Sequence, residues 1–228
     1  MSGPRRLADA TWPELADAGP MHLVVALGSC EQHGPHLPLD TDTRIAVAVA
    51  ERVVAGHGSL VLGPTIAVGA SGEHAGFPGT LSIGQEVLGH VLVELARSAD
   101  HFASVVVING HGGNVDTLVR AGQVLTGEGR RFCHLNCHIP GGDAHAGWSE
   151  TSILLHLAPA AVRSDRIEVG ITEPWSEIGE RVVAEGFAAV SQNGVLGDPT
   201  GATATDGERL LADLVDRLSA QVAGWADG

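Results

Sequence analysis

Residues 28–43 read Gly28-Ser29-Cys30-Glu31-Gln32-His33-Gly34-Pro35-His36-Leu37-Pro38-Leu39-Asp40-Thr41-Asp42-Thr43. They follow directly on the apolar run His22 to Leu27, which predicts a buried strand with this polar string as the loop beyond its carboxyl end. A loop has no folding reason to hold two imidazoles, three carboxylates and two prolines together. Imidazole nitrogen and carboxylate oxygen are the donors that Zn²⁺, Mn²⁺ and Fe²⁺ share, so the string points to a divalent-metal site. Glu31 and His33 are two apart and project to one side of an extended chain. Asp42 opens the next predicted helix and is placed to reach back. Its two oxygens suit a ligand shared between two cations, while the plainer alternative is that Thr41 or Asp42 caps the helix. His36 and Asp40 fit outer-sphere or substrate-facing roles.

Outward from this string, apolar runs alternate with helical patterns. Strands are predicted over His22 to Leu27, Leu60 to Val68, Ala103 to Ile108 and Arg131 to His138. Helices are predicted over Ile45 to Val54, Gln85 to His101, Val115 to Leu125, Ser149 to Leu157 and Thr203 to Trp225. A Gly/Ser/Pro loop runs from Gly69 to Gly84, and Arg163 to Pro199 shows no clear pattern. The alternation predicts an α/β fold: a three-layer α/β/α sandwich with a mostly parallel central sheet. No repeat, low-complexity tract or linker divides the chain, so residues 1–228 are expected to form a single domain.

Two further clusters fall beyond predicted strands. Asn109-Gly110-His111-Gly112-Gly113-Asn114 follows the valine-rich strand, and His145-Ala146-Gly147-Trp148-Ser149-Glu150-Thr151-Ser152 lies past the fourth. Ligands of open α/β sheets bind outside the carboxyl ends of the strands, so the three clusters are expected to converge on one rim. His111 and Glu150 are then further metal-competent donors, and His145 is a candidate acid/base, since an unperturbed imidazole titrates near neutrality. Glu73-His74 adds a polar wall. The phosphate loop GxxxxGK[ST], the zinc-protease HExxH and the serine-hydrolase GxSxG are absent.

The chain has 228 residues, is 44% hydrophobic and carries a formal charge of −14. Its length suffices for a sizeable core. The acidic balance disfavours nucleic acid or an anionic membrane surface as partner. Cys30, Cys133 and Cys137 are few and odd in number, which suits a reducing compartment. No run reaches the roughly 20 apolar residues of a membrane span, and no signal-peptide core precedes Pro20, so a cytoplasmic location is expected.

The strings GSCEQHGPHLPLDTDT, GASGEHAGFPGTLS, NGHGGN and HAGWSETS, in this order over roughly residues 28–152, resemble the creatininase family of metal-dependent amidohydrolases. CHIPGGDAHAGWSETSILLHLAP and NGVLGDPTGATA look most like the branch found in mycofactocin gene clusters, whose members trim the modified precursor peptide. The resemblance implies a creatininase-like fold and a hydrolase acting on C–N bonds. It implies two divalent metals per subunit, Zn and/or Fe(II) with Mn acceptable, and a ring-like homo-oligomer, often hexameric. Glu31, His33 and Asp42 match the first metal motif with Asp42 bridging; His111 matches the second, Glu150 the late carboxylate and His145 the catalytic histidine. Ser71, Gly112, Gly113 and Trp148 are the substrate contacts considered. The chain departs from creatininase proper at Gly113, where that enzyme has a glutamate, and at Trp148, where other members have an acidic residue. The implied activity is release of a C-terminal Val-Tyr dipeptide from the modified mycofactocin precursor. The alternatives are hydrolysis of a small cyclic amide or formamide, and a non-catalytic metal-binding protein.

Overall fold

The computed structural model describes residues 5–226. Four strands form the central sheet: β1 (His22–Leu27), β2 (Leu60–Leu62), β3 (Ser104–Asn109) and β4 (Phe132–Asn136), in the order β2-β1-β3-β4. Every pairing is parallel, with Val24 opposite Leu62 on one side and Val106 on the other, and Ile108 opposite Leu135. Parallel strands of this kind are covered on both faces, which is why β1 and β3 are buried along their whole length.

The helices are α1 (Trp12–Asp17), α2 (Thr41–Gly56), α3 (Gly84–Ser98), α4 (Val115–Gly127), α5 (Trp148–Leu157), α6 (Trp175–Glu185), α7 (Phe187–Val190) and α8 (Ala204–Ala226). Side chains alternate across the strands, so each strand feeds two cores. Val24, Ala26, Leu62, Val106 and Ile108 pack with Val49 and Val53 of α2, Leu154 of α5 and Leu214 of α8. Leu23, Val25, Val61, Val105 and Val107 pack with Leu88 and Leu92 of α3 and Leu118 of α4. These are the two outer layers of the sandwich.

Where element bounds depart from the sequence reading, local chemistry accounts for it. β2 stops at Leu62 because Pro64 has no N–H for the ladder. The ladder resumes only as an isolated bridge between Leu27 and Ile66. The unpatterned stretch 163–199 contains α6 and α7, whose Ile178, Val182 and Phe187 form a third small core with Leu196. Ahead of β1, α1 is fixed by a capping box in which Thr11 and Glu14 bond reciprocally.

Candidate metal centre

β1 ends at Leu27, β3 at Asn109 and β4 at Asn136, and three asparagines tie the loops beyond them together. Asn114 donates to the carbonyls of Gly28 (3.1 Å) and the Asn109 side chain (3.1 Å), and accepts from the Ala70 amide (2.9 Å). Asn109 in turn donates to the His111 carbonyl (2.8 Å) and to Asn136 (2.9 Å). The Asn-Gly-His-Gly-Gly-Asn string is thus a clamp that fixes His111 against residues 28–33 and 70–74.

Within this frame three sets of donor atoms lie within 4.8 Å of one another: Glu31, Asp42 and His111; His33, Asp42 and Glu150; and Glu31, His33 and His145. Asp42 belongs to two of them. It does not serve as a helix cap: its oxygens take hydrogen bonds from Ser29 Oγ (2.8 Å) and His33 Nε2 (3.0 Å), and Oδ2 lies 3.3 Å from His111 Nδ1. His33 Nδ1 faces the Glu31 carbonyl (3.2 Å), which leaves Nε2 toward Asp42. His111 Nδ1 lies 3.1 Å from Glu31 Oε1, while its Nε2 meets the Ala70 carbonyl (3.1 Å) and Glu73 Oε1 (3.3 Å). A ring nitrogen engaged on the far side fixes which nitrogen faces a metal.

Glu31 is fully buried, and neither of its carboxylate oxygens has a hydrogen-bond partner. A carboxylate so placed is costly unless a cation offsets it. The surrounding donors are imidazole nitrogens and carboxylate oxygens, the set that Zn²⁺, Mn²⁺ and Fe²⁺ accept, so the residues fit divalent cations. None of the three sets contains a cysteine. Cys133 and Cys137 are free, and burial pushes both thiols up to about 12.

The electrostatics follow from crowding four carboxylates and five imidazoles out of water. Burial opposes a charge on His33, but Asp42, with Glu150 and Glu31 behind it, outweighs this and raises His33 to about 10. Burial works against ionised Asp42 too, and His33 and His111 hold it well below the usual carboxylate range. His111 is raised well above its ordinary value, the Glu31 and Asp42 carboxylates overcoming burial. Burial lifts Glu150 to about 7, with Asp42 adding to the rise and His33 opposing it. His74 is lowered to about 4 and His145 well below 6.5, each mainly by burial and also by neighbouring imidazoles. Both are neutral at physiological pH.

His145 is held by main-chain bonds on both sides: its amide and carbonyl pair with Leu196 (3.2 and 2.9 Å). Ala146 beside it has φ 52°, the left-handed region rarely taken by a residue with a Cβ, and its amide donates to Glu150 Oε2 (2.6 Å). The His145 ring lies 4.3 Å from the His33 ring and 4.9 Å from that of Phe187, which also stacks on His74 at 3.9 Å. Phe187 sits in the stretch the sequence left unpatterned, and no motif announces it. Trp148 is half-buried and packs on the α2, α5 and α8 core. Ser71 is buried with its Oγ unpartnered, Gly112 is exposed, and Asp40 turns to the surface to pair with Arg44 (2.7 Å). His36 bonds Thr151 Oγ1 (2.8 Å) behind the cluster. Gly113 has no room for a side chain: a Cβ there would fall 2.3 Å from Glu73 Oε1 and 2.4 Å from His111 Nε2.

The mycofactocin precursor peptide peptidase of Mycolicibacterium smegmatis is 49% identical over 97% of this chain and 92% of its own length. Among solved structures, a creatinine amidohydrolase (creatininase) superposes with a TM-score of 0.80 at 25% identity, covering 98% of each chain. A mutant creatininase of the Zn-Zn type superposes at 0.78 and 25% identity, over 97% of this chain and 98% of its own. The Creatininase profile, described as creatinine amidohydrolase, matches residues 8–222. With that match, and with the near-half identity to a curated relative, the chain belongs to the creatininase family.

Proposed function

We propose that this creatininase-family chain is a metal-dependent peptidase that hydrolyses an amide bond of the modified mycofactocin precursor and releases its C-terminal Val-Tyr dipeptide. The observation that carries the chemistry is the pair of donor sets sharing Asp42, with neutral His145 within reach of Glu31 and His33. The substrate rests on the 49% identity to a mycofactocin precursor peptide peptidase over nearly the whole chain.

In this reading Glu31, Asp42 and His111 would hold one divalent cation, and His33, Asp42 and Glu150 a second, with Zn and/or Fe(II) favoured and Mn acceptable. When bound, the pair supplies a Lewis acid for the scissile carbonyl and lowers the pKa of water. His145 takes up a proton from the attacking water and returns it to the leaving nitrogen, a task its neutral state allows. Phe187 closes one side of the rings against solvent, Ser71 offers an unpartnered hydroxyl, and Trp148 and the Gly112-Gly113 amides complete the proposed substrate contacts. A single cytoplasmic domain assembling as a homo-oligomer, favoured as a hexamer, completes the proposal. No helix among the described residues is long and apolar enough to cross a membrane.

The test is incubation of cation-loaded protein with the maturase-modified precursor and mass spectrometry of the products. Appearance of Val-Tyr supports the proposal; an intact peptide with full cation loading refutes it. The second reading, hydrolysis of a small cyclic amide or formamide, draws on the superposition with creatinine amidohydrolase. It predicts turnover of such a metabolite and none of the peptide.

A further inference from the structure

Gln32 stands between Glu31 and His33, and its buried side-chain amide is hydrogen-bonded through both its nitrogen and its oxygen. Nε2 lies 3.0 Å from the Gly194 carbonyl and 3.0 Å from His74 Nδ1, and Oε1 lies 2.9 Å from the Gly34 amide. A carbonyl only accepts and a main-chain amide only donates, so the orientation of the amide is forced. Its two hydrogens are committed, one to Gly194 and one to His74. His74 Nδ1 is therefore an acceptor, and the neutral ring carries its hydrogen on Nε2. That nitrogen lies 3.2 Å from Glu31 Oε1, an electrostatic contact and not a hydrogen bond.

The same residue sets the adjoining ring through its main chain. His145 Nε2 lies 2.8 Å from the Gln32 carbonyl, so it holds the hydrogen and leaves Nδ1 bare. The 3.1 Å approach of Gln32 Nε2 to His145 Nε2 sets two donors side by side and carries no bond. Gly194, at φ 76°, makes room for this arrangement, since a Cβ there would fall 1.9 Å from Gln32 Oε1.

We propose that Gln32 is a positioning residue that sets two neighbouring histidines in complementary senses. It turns the N–H of His74 toward the Glu31 carboxylate and leaves Nδ1 of His145 without a hydrogen. Its effect on turnover rests on the amide-hydrolysis reading above; the hydrogen placement does not. The closest general parallel is a triad histidine held in its working tautomer by one acceptor, where loss of that tautomer costs about 10⁴-fold in kcat.

The test is a long-range ¹H–¹⁵N correlation spectrum of the zinc-loaded protein labelled at histidine nitrogen, with His74 and His145 assigned by substitution. The expected spectrum has both residues protonated at Nε2. Gln32→Met removes the donor, and Gln32→Glu replaces it with an acceptor. The first should mix the His74 tautomers and the second should move its hydrogen to Nδ1, with zinc content retained and kcat lowered at least about 10²-fold. A wild-type His74 protonated at Nδ1 overturns the proposal, as does a His74 signal indifferent to both substitutions. If the variants do not fold, the wild-type spectrum decides alone. If no peptide is cleaved by any form, the tautomers still test Gln32, and the functional reading is what fails.

Discussion

Asp42 holds the two donor sets together: one oxygen meets His33, and the other faces Ser29 and His111. Asp42→Ala should therefore reduce bound metal from about two ions per subunit to fewer than one by elemental analysis, while circular dichroism keeps its α/β signature. Full occupancy would refute the bridging role. His145→Ala should separate chemistry from binding, with kcat down roughly 10²- to 10⁴-fold, the usual worth of a positioned proton carrier, and metal content unchanged. Parallel loss of metal would make His145 a ligand. The metal-free protein has its own pH signature. His33, raised to about 10, lends stability that is complete below pH 6.5 and fades as pH rises through 10. Glu150, raised to about 7, lends stability that is lost as pH rises from 4.5 through 7. His36 and His74, lowered to about 4, act oppositely and cost stability as pH falls from 6.5 through 4. The melting temperature of chelator-treated protein should peak near pH 6.5, and a monotonic rise from pH 5 to 9 would contradict these assignments.

At the scale of elements, legibility tracked sequence distance. Glu31, His33 and Asp42 are neighbours in sequence on a loop between a strand and a helix, and spacing alone brought them together. His111 and Glu150 were readable because each follows an apolar run, and parallel strands deliver such loops to one rim. The bonds of the Gln32 carbonyl to His145 and of the Gln32 side chain to Gly194 span more than a hundred residues and leave no local trace. The α6–α7 segment was equally silent, because its buried face is only Ile178, Gly179, Val182 and Phe187, too few to raise a periodic pattern. Its importance shows in Phe187, the ring stacked on His74. Phe187→Ala should destabilise the fold by about 3 kcal/mol, the lower range for a buried phenylalanine. It should also lower kcat by loosening both histidines; unchanged melting and unchanged kcat together would remove this segment from the site.

For the whole molecule, the question is which substrate the shared architecture serves. The chain carries the creatininase fold at a TM-score of 0.80, yet its identity to that creatininase is 25% against 49% to a peptidase. At Gly113 no carboxylate is available from the position itself, and Glu73 occupies the space a side chain would need. Under matched cation loading, kcat/KM on creatinine should fall at least about 10²-fold below that on the modified peptide, a gap of roughly 2.7 kcal/mol. Comparable values would return the chain to the small-amide hydrolases.

The peptide unit joining His145 and Ala146 is gripped at both ends. Its carbonyl is taken by Leu196, from the segment that carries Phe187, and its N–H by Glu150. One amide therefore ties the 163–199 segment to the turn that carries His145, and the two stretches are coupled. Recombination that imports a foreign 163–199 segment without its matching 145–150 turn should yield proteins that bind metal and turn nothing over. Swapping both stretches together should keep this amide gripped at both ends, and retained turnover in the paired swap alone would show the coupling.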